Sequence, residues 1–206
     1  MANIFRKKVL DKFAKQVPEL ENALRNAEMK LEPTLQPPFE MLMRSIIFQQ
    51  LAYPAARTIH DRFVALVGKL TPNRVLATNQ EKLRTAGLSR QKASYIHNVA
   101  GAFAKGGFLW KYRTIESLSE LSSKEITHLF TQIKGVGGWT VQMYLIFSLG
   151  RLDVLSSGDL GVRKGVMKLY RLERMPTPKE VEKIAEPWHT LETVGTYLAW
   201  RSVDNT

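Results

Sequence analysis

Residues 132–140 read QIKGVGGWT, and glycine fills three of the four positions from 135 to 138. The stretch runs straight into VQMYLIFSLG, an apolar run that reads as a helix. Upstream, SSKEITHLFTQI offers a serine cap, with Glu125 placed for a capping box. The local reading is therefore helix, glycine turn, helix. Glycine at this density costs conformational entropy on folding, so something must need the bare backbone. Gly135 and Gly137 allow positive φ and remove side chains from the outer face, leaving N–H groups at the start of the second helix facing outward. Such a nest at a positive helix end suits a phosphate oxygen, and Lys134 adds charge beside it. A plain glycine turn between packed helices is the competing reading.

The rest of the chain reads the same way. Val9 to Lys30 has helical periodicity broken at Pro18, and the proline-rich LEPTLQPP that follows is a loop. FEMLMRSIIFQQL, from Phe39, is nearly continuous apolar and reads as a buried helix. Pro54 suits the first turn of the next helix, which stops at Gly68. TPNRVLAT, NQEKLRTAG and SRQKASYIHNVAGAFAKGG carry Thr, Gly and Ser boundary signals. No segment alternates with period two between turns spaced as in a sheet. The expectation is an all-α chain of about nine to eleven helices.

Lys and Arg number 30 against 19 Asp and Glu, a formal net charge of +11. That imbalance points to a polyanionic partner. With no cysteine, disulfides, Cys-ligated zinc and iron–sulfur clusters are excluded. His60, His97, His128 and His189 lack ligand spacing, which argues against a metal-centred enzyme. No run reaches transmembrane length, no stretch reads as a membrane-surface helix, and MANIFRKKVL lacks the apolar core of a secretory signal. Nucleic acid is the partner left.

Twenty residues past Trp139, Asp159 follows SSG and precedes an apolar-periodic helix. It can be an ordinary N-cap, or a carboxylate held toward a cleft. Taken together, IKGVGGWTVQMYLIFSLGRLDVLSSGDLGVRKGV resembles the helix–hairpin–helix, Gly/Pro-rich loop and aspartate signature of the HhH-GPD DNA glycosylases. It is most similar to their AlkA-like and fungal Mag-type 3-methyladenine branch. FEMLMRSIIFQQLAYPAARTIHDRF, AGLSRQKASYIHNVA and EPWHTLETVGTYLAWRSVD resemble further blocks of that branch, so the likeness spans about residues 37–204.

The resemblance implies one glycosylase domain of two helical subdomains, about 37–130 and 1–36 plus 131–206, with a DNA-binding cleft between them. It implies base flipping and hydrolysis of the N-glycosidic bond of 3-methyladenine or 7-methylguanine. Asp159 would be the catalytic carboxylate, stabilising an oxocarbenium-like transition state and helping to place water. Gln50 would fill the vacated stack and Leu51 would wedge the duplex. Lys134, Gly135, Val136, Gly137, Gly138 and Thr140 would hold the DNA backbone. Phe48, Trp139 and Met143 would line the base pocket, with ordinary packing as the alternative for Leu51 and Trp139. Trp188 is a weaker pocket candidate that reads better as core.

Trp139 stands where bifunctional relatives carry a lysine nucleophile, which implies a monofunctional enzyme. Phe48, Ala52, Gly138 and Met143 depart from the family pattern and put lesion range and rate in question. A non-enzymatic binder of abasic or distorted DNA is therefore the alternative function. A generic helical DNA-binding protein ranks third. No cofactor is implied, beyond a monovalent cation at the hairpin. The implied partner is double-stranded DNA with alkylated bases or abasic sites, bound by a monomer. The implied location is the nucleus in a eukaryote and the cytoplasm otherwise.

Overall fold

Capping side chains and prolines set the helix boundaries, and they do so largely where the sequence places them. The structure, a computed structural model, describes residues 2–204. Among these the chain is helical, with no strand. Helices α1 (Lys7–Gln16) and α2 (Glu21–Asn26) are separated by a 3-10 turn at Pro18–Leu20. Then come α3 (Pro38–Phe48), α4 (Tyr53–Val67), α5 (Pro72–Ala77), α6 (Gln80–Thr85) and α7 (Arg90–Phe103). They are followed by α8 (Ile115–Ser119), α9 (Ser123–Thr131) and α10 (Gly138–Phe147). The last three are α11 (Leu160–Leu169), α12 (Pro178–Ile184) and α13 (Glu192–Asp204).

These thirteen helices exceed the nine to eleven expected. Pro18 breaks the first helical segment, as expected. Helix α8, capped by Thr114 and Ser117, is too short for its hydrophobic pattern to register. The expected caps are present: Thr71 accepts from the Arg74 N–H, Ser89 from the Lys92 N–H, and Ser122 and Glu125 form a capping box. Each such cap contributes about 1 kcal/mol. No helix among the described residues is long and apolar enough to cross a membrane.

The chain divides into two compact units. One is Leu35–Val141, and it includes the glycine hairpin that the expected boundary near 130 assigns to the other side. Its axis is α7, whose Ala93, Ile96, Val99, Ala100 and Phe103 are buried and which packs against α3, α5 and α6. Phe103 meets Phe39 and Phe130 edge-on, at 5.9 and 6.1 Å between ring centres. Burying each such ring contributes about 1.5–3 kcal/mol.

The other unit joins residues 1–34 to 142–206. Here α11 and α13 approach so closely that a Cβ on Gly165 would strike the Ala199 carbonyl oxygen, so only glycine fits. Trp188 is fully buried and donates its ring N–H to the Tyr170 hydroxyl (3.1 Å), so its place is in the core.

Candidate functional site

In the unit Leu35–Val141, the turn between α9 and α10 is pinned from two sides. Gly135 has φ 107°, and a Cβ there would run into the Tyr95 ring of α7. Glycine is thus required both by conformation and by space. Gly137 is not among the residues at positive φ. It contributes bareness instead: a Cβ at 137 or 138 would meet nothing within 4 Å. Val136 anchors the turn as a buried side chain, and Lys134 is exposed.

The first helical bond of α10 runs from the Val141 N–H to the Gly137 carbonyl (3.2 Å), so the preceding N–H groups lie at the positive helix end. Thr140 lies in that first turn but is only 3% exposed, so its hydroxyl is withdrawn from solvent. The carbonyls of Ile133, Lys134 and Gly135 already accept N–H groups from Val136, Asn98 and Gln49. A monovalent cation at the turn would have to share these oxygens.

Two residues beyond the end of α3, Gln50 takes φ 56°, a left-handed conformation uncommon for a residue with a side chain. Such strain costs on the order of 1–3 kcal/mol and persists only when surrounding structure enforces it. The enforcing contacts come from both flanks of Gln49. Its side chain donates to the Gly135 carbonyl (3.3 Å), and its own carbonyl accepts from the Lys92 ammonium (2.7 Å). Gln50 is exposed and Leu51 is 40% exposed, so the turn presents both outward.

Phe48, expected in a base pocket, is half-buried at the end of α3. Its ring meets Tyr53 and His60 edge-on, at 5.7 and 6.1 Å, and the Arg44 guanidinium sits 4.5 Å over it. Tyr53 is 59% exposed. Hydrogen bonds from Arg57 and then Arg44 hold its phenol below the usual tyrosine pKa. Arg57 also pairs with Asp61 at 3.0 Å. This cationic and aromatic patch escaped the sequence reading, although Arg44/Phe48 and Tyr53/Arg57 each stand four apart on a helix. Trp139 is 53% exposed, which excludes the core reading for it.

In the other unit, Asp159 caps α11. Its Oδ1 accepts the Val162 N–H (3.0 Å) and the Trp200 ring N–H (2.9 Å). Trp200 in turn stacks on Phe147, with ring centres 5.8 Å apart and planes 18° off parallel. The loop leading to Asp159 satisfies its backbone groups through side chains. Thr193 Oγ1 accepts the Val154 N–H and donates to the Arg151 carbonyl (3.1 and 2.8 Å). Thr196 donates to the Val154 carbonyl, and Gln142 donates to the Leu155 carbonyl while accepting from Ser156. Thr193, Thr196 and Trp200 recur at helical spacing on α13, the signal that could have revealed them. Met143 is half-buried on α10 in this unit. The candidate residues thus fall into two sets, the hairpin with the Gln50 turn in one unit and Asp159 with Met143 in the other.

The order of these parts along the chain is decisive. Residues 43–190, spanning α3 to the segment before α13, match the family of HhH-GPD superfamily base excision DNA repair proteins. The chain belongs to that family. It is 35% identical over 168 residues to DNA-3-methyladenine glycosylase 1 of Schizosaccharomyces pombe, covering 80% of this chain and 72% of the relative. Among solved structures it resembles a DNA-3-methyladenine glycosidase from Bacillus halodurans, with TM-score 0.85, 31% identity and coverage of 98% and 91%. It also resembles the Schizosaccharomyces pombe 3-methyladenine DNA glycosylase Mag1 in complex with abasic DNA, with TM-score 0.74, 30% identity and coverage of 94% and 95%.

Proposed function

We propose that this chain is a monofunctional DNA glycosylase of base excision repair. It flips an alkylated purine, 3-methyladenine or 7-methylguanine, out of double-stranded DNA and hydrolyses its N-glycosidic bond. N-alkylation gives the base a positive charge, so the base departs neutral with the bonding electrons as the C1′–N bond breaks. Water adds to C1′ and loses a proton, leaving an abasic site.

The roles are those that the resemblance to the family implies. Hairpin N–H groups and Lys134 grip the strand backbone. Leu51 parts the stack and Gln50 fills the gap. Phe48, Trp139 and Met143 serve the base, Trp139 by stacking and cation–π attraction. Asp159 stabilises the developing positive sugar, and tryptophan at 139 supplies no amine for a Schiff base.

The observation that carries this reading is the Asp159 carboxylate, oriented by the Val162 and Trp200 N–H groups. The test is base release from methylated DNA. Asp159→Asn is expected to lower the release rate by about 10²–10³-fold, the scale of losing one transition-state electrostatic group. Affinity for abasic duplex should stay within about twofold, because the grip is made elsewhere.

A second reading is a protein that binds abasic DNA without excising bases. It is favoured by Phe48, Ala52, Gly138 and Met143, which depart from the family pattern. Tight abasic binding by the unmodified protein with no base released over a long incubation would establish it.

A further inference from the structure

The proposed reading gives Gln50 and Leu51 the work of opening the duplex but leaves open what holds them. Carbonyls at a helix C-terminus lack intrahelical donors. At the end of α3 two of them are met by one side chain from another helix: Lys92 Nζ donates to the Ile47 carbonyl at 2.8 Å and to the Gln49 carbonyl at 2.7 Å. Lys92 sits in the first turn of α7, where its own N–H is taken by the Ser89 cap (3.1 Å). The side chain is half-buried, and burial pulls its pKa below the usual lysine value. A lysine that serves only solubility would not be turned inward at that cost.

The carbonyl it holds belongs to Gln49, the residue immediately before the left-handed Gln50. On the other flank of Gln50, the Leu51 N–H reaches the Phe48 carbonyl only at 3.4 Å, a weak tie. The same helix α7 carries Asn98, which fixes the Lys134 carbonyl, and Tyr95, which fills the space beside Gly135. From these contacts we infer that Lys92 is a positioning residue: its ammonium fixes the peptide of Gln49, keeps Gln50 left-handed and so presents Leu51 to DNA, with α7 holding this turn in register with the hairpin. The inference rests on the proposed reading in so far as the turn meets DNA, and its test separates the two.

Lys92→Met keeps the chain length and removes the donors. Hydrogen exchange without DNA is expected to speed up about tenfold or more at amides 50–52 and to stay unchanged at amides of the hairpin. In titrations with matched duplexes, the preference for abasic over intact DNA should fall about tenfold, with intact-DNA affinity held within about twofold, because displaced functional groups lose specificity first. In a Leu51→Ala background the same substitution should change that preference by less than about twofold, since the residue Lys92 acts through is gone.

Lys92→Arg retains donors and is expected to keep most of the preference, which guards against a folding artefact. Unchanged exchange at 50–52 overturns the inference. So does an equal loss of affinity for both duplexes, or an undiminished Lys92→Met effect in the Leu51→Ala background. If the unmodified protein shows no preference for abasic DNA, the functional reading fails, and the exchange data alone decide whether Lys92 holds the turn.

Discussion

The Gln50 turn and hairpin in one unit, and the Asp159 loop in the other, are immobilised by different chemistry. In Leu35–Val141, long side chains reach across to backbone carbonyls: Lys92 to Ile47 and Gln49, Gln49 to Gly135, and Asn98 to Lys134. In the other unit, short hydroxyls of α13 lie against the loop, Thr193 and Thr196 serving Arg151 through Ser156, and Trp200 reaches the carboxylate itself. A long amide or ammonium can bridge to a turn that must stay exposed. A threonine inside the core can hold only a loop packed upon it, and Thr193 and Thr196 are fully buried. The first arrangement suits a surface that meets a large partner, the second a group whose orientation matters more than its reach.

The sharpest way to break the first arrangement is at Gly135. Gly135→Ala forces a side chain into a left-handed position and into the Tyr95 ring. The expected loss is about 2–4 kcal/mol of stability, from backbone strain and overpacking together. Thermal unfolding reads that loss, and abasic-duplex affinity should fall by well over tenfold. Gly137→Ala, where a Cβ meets nothing and φ is ordinary, should leave stability nearly unchanged while still weakening DNA binding. Equal melting temperatures for the wild type and Gly135→Ala would mean that the two glycines do the same work.

For the second arrangement, Trp200→Phe keeps an aromatic ring against Phe147 and deletes the N–H that Asp159 Oδ1 accepts. One oriented hydrogen bond to a charged group contributes about 1.5–3 kcal/mol, so the base-release rate should drop about ten- to a hundredfold. Abasic-duplex affinity should hold, because no hairpin residue is touched. A fall in affinity without a fall in the single-turnover rate would make Trp200 part of the DNA surface instead.

What the sequence disclosed follows the same division. Caps, helix breaks and the glycine turn are local, and Thr71, Ser89 and Ser122 sit where their side chains predict. Asp159 was legible because an N-cap is a local feature with a motif around it. Density of glycine does not say which one carries the positive φ: Gly135 does and Gly137 does not. Gln50 is a candidate from the sequence, but nothing in its residue type announces a left-handed backbone, which long-range contacts impose. Lys92, Asn98 and Trp200 act 43, 36 and 41 residues away along the chain, beyond the reach of any periodicity. The contacts of Phe48 with Arg44, Tyr53 and His60 come from two helices, so no single helical period discloses them.

The smallest expected effect separates two lysines that the net charge of +11 counts alike. Lys134 is exposed at the hairpin, and its carbonyl, not its ammonium, is bound by Asn98. Lys92 is turned inward to two carbonyls. Neutralising a phosphate releases a counterion, which shows in the slope of log affinity against log salt. Lys134→Gln should therefore weaken abasic-duplex binding only about threefold at moderate salt and flatten that slope by about 0.9. Lys92→Met removes the same formal charge but should leave the slope where it was, because that ammonium faces the protein backbone. An unchanged slope for Lys134→Gln would remove Lys134 from the phosphate grip and leave it to the helix-end N–H groups. A flattened slope for Lys92→Met would show that its ammonium reaches DNA after all, and that the end of α3 is held by something else.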